Sequence, residues 1–410
     1  MDALQIQRSI PRYLWARGMS PFFPRVVTGW GSQIRFTSLV PPPLPSPSWI
    51  RIRPILSGIC GSDLGVLTGE NSPYLSAYAS FPFVPGHEIV GKVIETGSSV
   101  GTTRVGDRVV VEPVLGCATR GFSDLCVACS EGRKGNCERV TMGDIESGLL
   151  TGYCRTTGGG WSEELVVHET QVHIVPEDIP DEVAVLTEPL SCVVHGVFQA
   201  NVPKGGQVLV IGCGTIGLLT IAALREFGPP CTIIAVAKHS KQVDLASRIG
   251  ADHVIPANLG GYSAFADLTG AMLHRIPLDK PVVTGGVDAT FDCVGSNSSL
   301  SNAFRWTRPR GTVMLLGLPG HRRVDFAPLW YKELRLLGSY CSCLEKLPSG
   351  KTENSFALAL RLLTGRKWSE TLVELVAHRY SLGEYRQAIQ TTLRTGKSGA
   401  IKVVFDLRKD

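Results

Sequence analysis

The stretch QVLVIGCGTIGLLTIAALREFG, residues 207–228, constrains the fold more than any other part of the chain. An apolar run of strand length leads into a glycine turn, and a long apolar helical pattern leaves it. Gly212-Cys213-Gly214-Thr215-Ile216-Gly217 is therefore a G-x-G-x-x-G in the setting that motif needs, after a strand and opening a helix. Gly212 permits the tight turn, Gly214 lets a pyrophosphate approach the backbone, and Gly217 lets helix and strand pack closely. Thr215 and Ile216 lie where free helix N–H groups would face the phosphates. A glycine-rich turn of some unrelated α/β protein would lack this context. CTIIAVA, SKQVDLASRIGA, DATFDCVG, GTVMLLGLPG and ELRLLGSY continue the alternation. That spacing predicts a parallel, doubly wound sheet over 191–340. Residues 254–287 are longer than a simple connection and carry a helix-like segment of their own.

Cofactor choice turns on the tip of the second strand. An NAD site places a carboxylate there for the ribose 2′-hydroxyl. This chain has Ala237, Lys238, His239 and Ser240, with no acid. Lys238, Ser240 and His239 suit a 2′-phosphate, so NADP(H) is expected ahead of NAD(H). The competing view makes them ordinary loop residues. Asp244 lies one turn into the next helix, too far on to replace the missing acid.

At 410 residues the chain exceeds what one core usually supports. Residues 1–190 are rich in Gly, Pro and Val, with short strand-like runs such as VGKVIETG and DRVVVEP. They predict an irregular antiparallel barrel-like domain. PPPLPSPS at 41–48 reads as a loop between strands, and Ala3–Gln7 as a first strand. Residues 341–410 hold two amphipathic stretches and the strand-like AIKVVFDL, which can return to complete the first domain.

Apolar content of 43% with 19% charged residues describes an ordinary globular protein, and net charge is only +5. Basic residues are dispersed, so neither nucleic acid nor an anionic membrane is expected as a partner. No apolar run approaches the ~20 residues of a membrane helix. The acid-poor N-terminus invites a transit-peptide reading, but its strand-like start favours a mature one. Twelve cysteines in so long a chain are no disulfide scaffold and point to a reducing, cytoplasmic setting.

Cys117, Cys126, Cys129 and Cys137 form a cluster able to close a tetrahedral zinc site. Cys60 in GICGSD, with His87 and Glu88 in PGHE, forms a second set. Glu188, in TEPLSC, precedes the dinucleotide domain and would lie near the cleft between domains. One closed and one open site describe a zinc enzyme. The open zinc would polarise an alcohol oxygen so that hydride passes to a nicotinamide.

GICGSD, PGHEIVGKV, GDRVVVEP, the cysteine lobe, TEPLSCVVHG and VLVIGCGTIGLL, in this order, resemble the medium-chain zinc-dependent alcohol dehydrogenase family. The resemblance implies a GroES-like irregular β-barrel catalytic domain, 1–190 completed by 341–410, and a Rossmann domain, 191–340. It implies two zinc ions per chain and an alcohol or aldehyde substrate. Cys60 and His87 look like ligands of the catalytic zinc. Glu188 matches the glutamate that completes the site in the sorbitol, glucose and threonine dehydrogenase branch, with Cys192 as a rival. Glu88 matches a glutamate that ligates or stands beside the metal. Ser62 falls at the hydroxyl that passes the substrate proton onward, and Asp63 at a carboxylate orienting the histidine ligand.

Two departures from the family pattern matter. The histidine three residues after the hydroxyl position is Gly65 here, so the proton is expected to leave through water or Glu88. The first lobe cysteine is replaced by Ser123, so Cys117 is expected to supply the fourth thiolate across an expanded loop. Lys402 would neutralise cofactor phosphate. Tyr74, Phe81, Phe83, Trp161 and Phe326 are candidates for an apolar substrate lining. The resemblance also implies a homodimer or homotetramer, with GTVMLLGL pairing across an interface.

The leading function is therefore an NADP-dependent zinc alcohol or polyol dehydrogenase. The alternatives are an NAD-linked sugar or amino-alcohol dehydrogenase, and a non-catalytic nucleotide-binding member of the family.

Overall fold

A computed structural model describes residues 1–408. It forms two compact units, Met1–Ser191 with Cys341 onward, and Cys192–Tyr340.

The second unit is built on six strands. In spatial order they are His253–Pro256, Thr232–Ala237, Gln207–Ile211, Val287–Asp292, Thr307–Leu315 and Arg335–Gly338. Every neighbouring pair is parallel. Val208, Leu209 and Val210 are all fully buried, as expected of a central strand covered on both faces. The 254–287 region supplies helix Gly260–Thr269 and the hairpin Met272–His274/Val282–Thr284. One expectation fails here. The GTVMLLGL strand is flanked on both sides by other strands, so its ladder groups are taken. The sheet edge beyond it is Arg335–Gly338.

The first unit holds a largely antiparallel sheet. Its spatial order is His378–Tyr380, Val403–Asp406, Trp49–Gly58, Ile89–Thr96, Arg108–Val111 and Val172–Ile174, with Leu165–His168 also on Trp49–Gly58. The register of Trp49–Gly58 slips beside Pro54, which has no N–H for the ladder. The final strand pairs Val404 with Gly58. That pairing seats Lys402 next to the chain that leads into Cys60. Among the described residues no helix is long and apolar enough to cross a membrane.

Candidate active site and metal centres

GICGSD begins where strand Trp49–Gly58 ends. Cys60 caps helix Gly61–Thr68, and its N–H donates to Asp63 Oδ2 at 2.9 Å. Asp63 is 1% exposed and turns its other oxygen to His87 Nδ1 at 3.5 Å. Ligand atoms of Cys60, His87 and Glu88 lie within 4.8 Å of one another. The electrostatics suit a cation. Burial opposes protonation of His87, yet Asp63, Cys60 and Glu188 together raise it well above its ordinary value. Burial also pushes the Asp63 carboxyl up, against the pull of His87 and the Cys60 N–H. A half-buried thiol with a buried imidazole and carboxylate in mutual reach is a zinc donor set. Glu188 opens helix Thr187–Ala200, and its charge acts on both His87 and Lys402. Neither Glu188 nor its rival Cys192 is among the donor atoms lying within 4.8 Å of one another, and Cys192 belongs to the second unit.

Lys402 requires a correction. It is 4% exposed, and its ammonium forms an ion pair with Glu88 and donates to the Ile59 carbonyl at 3.2 Å. Burial opposes its charge, but Glu88 and Cys60 outweigh that and raise its pKa. The residue expected to meet a cofactor phosphate is thus committed to a carboxylate of its own unit. Glu88, the expected proton exit, is held by the same pair. Gly58 makes the room for it. A Cβ there would stand 1.7 Å from Glu88 Oε2 and 2.8 Å from Lys402 Cε.

Sequence reasoning missed Tyr153. Its hydroxyl lies 3.2 Å from Ser62 Oγ and 3.2 Å from Asp63 Oδ1. The phenol is the donor in both contacts, so its single proton is shared between Ser62 Oγ and Asp63 Oδ1. Burial first, then Asp63, holds the phenol protonated, well above its usual range. A lone tyrosine in GLLTGYCR carries no signal of this. Gly65 also gains an explanation. A Cβ there would fall 1.9 Å from Asn71 Oδ1, and Asn71 Nδ2 donates to the Ser62 carbonyl at 2.9 Å. Asn71 fills the space a relay histidine would need.

Cys117, Cys126, Cys129 and Cys137 are all buried, with their sulfurs within 4.8 Å of one another. Cys117 and Cys137 sulfurs are 3.7 Å apart, and Cys126 and Cys137 sulfurs 4.0 Å. Four thiolates at zinc–sulfur distance would stand about 3.8 Å apart, far beyond a disulfide bond. None of the twelve cysteines is in a disulfide. Ser123 is exposed, on the loop between Cys117 and Cys126. Buried Arg120 shapes that loop, donating to the carbonyls of Leu115, Met142 and Gly148 at 3.2, 3.0 and 2.6 Å.

In the second unit, Gly212 has φ 92° and its Cβ would meet Val294 Cγ2 at 2.3 Å, while a Cβ on Gly217 would sit 1.7 Å from the Gly212 oxygen. A Cβ on Gly214 would meet nothing within 4 Å, leaving the open approach a pyrophosphate requires. Thr215 and Ile216 begin helix Thr215–Phe227. Burial pushes the Cys213 thiol up to about 12, so it serves as packing. Ala237 ends its strand buried, and Lys238 and Ser240 are exposed beside half-buried His239. The Asp244 carboxylate pairs with Arg248 at 3.3 Å on its own helix.

The aromatic lining candidates divide. Phe83 and Trp161 are core, 1% and 0% exposed, and Trp161 Nε1 donates to the Gly58 carbonyl. Phe81 packs on Phe83. Tyr74 and Phe326 are exposed, and Phe326 belongs to the second unit.

A GroES-like unit bearing a mixed thiol, imidazole and carboxylate site, joined in one chain to a dinucleotide-type sheet, defines a zinc-dependent dehydrogenase. The alcohol dehydrogenase GroES-like domain matches residues 46–177, and the zinc-binding dehydrogenase domain matches 215–362. A sorbitol dehydrogenase of Arabidopsis thaliana is 30% identical over 388 residues, 93% of this chain and 95% of the relative. An L-idonate 5-dehydrogenase of Vitis vinifera is 29% identical over 386 residues, 93% and 94% of the two chains. A structure from Sinorhizobium meliloti 1021, described as a zinc-binding dehydrogenase bound to NADP, superposes with a TM-score of 0.67 at 26% identity. It covers 91% of this chain and 95% of that one. The chain belongs to the zinc-dependent medium-chain dehydrogenase family, and it is an oxidoreductase acting on CH–OH donors.

Proposed function

We propose that the protein interconverts a secondary alcohol or polyol and its carbonyl form with NADP(H). Support for the polyol class comes from the sorbitol and idonate dehydrogenase relatives. Support for NADP comes chiefly from the strand tip, where Ala237, Lys238, His239 and Ser240 offer no carboxylate to repel a 2′-phosphate. The Sinorhizobium structure with bound NADP agrees. An NAD-linked sugar or polyol dehydrogenase is the second reading, whose substrate class the same relatives support. The intact Cys60, His87 and Glu88 cluster argues against a non-catalytic binding protein.

Cys60, His87 and the carboxylates Glu88 and Glu188 would hold the catalytic zinc. When bound, it supplies a Lewis acid that favours loss of the alcohol proton. The protein's own part is to take that proton. Ser62 Oγ, half-buried, takes it and passes its own hydroxyl proton on to solvent, while Tyr153 holds that hydroxyl beside Asp63. Asp63, 3.5 Å from His87 Nδ1, acts on the ring through its charge. Lys402 holds the Glu88 carboxylate in place through their ion pair. In the cysteine lobe, Cys117, Cys126, Cys129 and Cys137 would hold a second zinc with no open position, which stabilises the lobe and takes no part in turnover. We also infer a homodimer or homotetramer, with the sheet edge Arg335–Gly338 as the strand free to pair.

The test is initial-rate kinetics on a panel of polyols and their ketoses with each cofactor. A kcat/KM about tenfold or more higher with NADP(H), reversed by Ala237→Asp, is expected. A clear preference of the unmodified protein for NAD(H) would overturn the cofactor reading.

A further inference from the structure

Strand Asp2–Ile6 pairs with Ile34–Ser38, and the Gln7 N–H reaches the Gln33 carbonyl at 2.9 Å. Residues 8–32 are therefore an excursion that leaves and re-enters one closed hairpin. The excursion is docked. Arg12 donates to the Ser32 carbonyl, Tyr13 to the Gly69 carbonyl and Gln390 to the Pro24 carbonyl. Its helix Ile10–Met19 turns Ala16 inward. Its outward face is apolar, the reverse of an ordinary surface helix. Ile10 is 67% exposed, Leu14 59% and Trp15 51%, joined by Phe22 at 76%, Phe23 at 60% and Trp30 at 97%. Trp15 lies against Gly31, which brings the helix and the Trp30 turn together.

Charge decides what covers this face. From Ala3 to Ser62 the chain contains no aspartate or glutamate. Arg8, Arg12, Arg17, Arg25 and Arg35 belong to the excursion and its return strand. Among the described residues none of the five is paired with a carboxylate. A second copy docked about a two-fold axis would set these guanidiniums against their own kind, with no acid within residues 8–35 to answer them. An anionic lipid surface answers them all and accepts tryptophan and phenylalanine at headgroup depth. We propose that residues 8–35 form a peripheral docking surface for an anionic membrane. This revises the expectation, drawn from dispersed basic residues, that no membrane is a partner. Basic residues are dispersed over the chain as a whole, but these five arginines and the exposed aromatic side chains fall within residues 8–35, a stretch without an acid.

The experiment is flotation of the full chain with phosphatidylcholine vesicles, with and without phosphatidylserine. Binding is expected only with phosphatidylserine, released by high salt, and weakened about tenfold or more by combined Trp15→Ser, Phe22→Ser and Trp30→Ser. The melting temperature should not move, because all three side chains are exposed. Should that variant unfold, combined Arg8→Gln, Arg17→Gln and Arg25→Gln decides the matter, with the same loss expected. Failure of the unmodified chain to float with phosphatidylserine overturns the proposal. So does binding that survives the arginine changes. Self-association in solution abolished by the serine variant, without flotation, would assign the face to a second copy instead.

Discussion

The two metal-type clusters of the first unit differ in how they are assembled. The cysteine lobe draws its four sulfurs from 21 consecutive positions, 117–137, and surrounds them with themselves and with backbone N–H groups from Cys117, Cys126 and Arg139. The Cys60 site draws on residues 58–63, 87–88, 153, 188 and 402, and couples every donor to another ionisable or hydroxyl group. A closed, homogeneous set can only hold a metal. A mixed set with a hydroxyl chain attached can also move a proton. The contrast predicts that damage to the first cluster appears as lost stability, and damage to the second as lost turnover.

The largest effect should come from crossing the two. His87→Ala should reduce kcat/KM by about a thousandfold or more, with the melting temperature nearly unchanged and one zinc lost per chain by elemental analysis. Cys117→Ser should also remove one zinc but lower the melting temperature by several degrees, with residual turnover in the folded fraction. Equal loss of turnover in both variants would erase the distinction. Ser123→Cys should leave metal content unchanged, since that position lies on the exposed part of the loop.

Gly58→Ala probes the tightest point of the mixed site. Its Cβ must displace Glu88 Oε2 or Lys402 Cε, and zinc affinity should weaken about 10- to 100-fold in a chelator competition. Normal affinity would mean that the Glu88–Lys402 pair can be moved at no cost.

A smaller effect separates orientation from packing in the hydroxyl chain. Tyr153→Phe keeps the ring against Phe83 and His87 but removes the contacts to Ser62 and Asp63. It should lower kcat about tenfold at unchanged KM, with the solvent isotope effect altered as in Ser62→Ala. An unchanged kcat in both variants would remove the hydroxyl chain from the mechanism.

The effect furthest from turnover, read in stability alone, concerns a buried carboxylate outside either metal cluster. Glu112 is 2% exposed, and it faces His173 at 3.1 Å, Asn354 at 3.1 Å and the Ser342 hydroxyl. Burial raises its pKa, but His173 and Lys134 outweigh that and bring it from 4.5 to about 2. A depressed carboxylate stabilises the fold above its unfolded pKa, and that contribution fades as pH falls through the folded value. The window thus runs from 4.5 down to about 2. The contribution is on the order of 3 kcal/mol. The stability gap between the unmodified protein and Glu112→Gln should therefore be full near neutrality and shrink across that window, read by denaturant unfolding. A gap independent of pH would assign the glutamate a packing role only.

Much of this was legible along the chain. The glycine pattern at 212–217 needs only a strand before it and a helix after it, and both are local. Cys117 in place of Ser123 was legible for the same reason, since few residues separate the lobe cysteines. Tyr153 was not, because nothing in GLLTGYCR says which helix its hydroxyl will meet. Nor was the partner of Lys402, because a basic residue near a terminal strand looks free for a phosphate until its pairing is known. The internal position of Thr307–Leu315 was likewise hidden, because strand order is a property of the whole sheet.

The sequence by itself determined the dinucleotide motif, the thiolate lobe, and the thiol and imidazole of the open site, because backbone geometry and ligand chemistry restrict which residue types can serve. Tertiary structure alone decided that Lys402 guards Glu88 and that Tyr153 links Ser62 to Asp63. Those relations depend on segments distant in the chain, and only a folded core that excludes water sets which charge meets which partner.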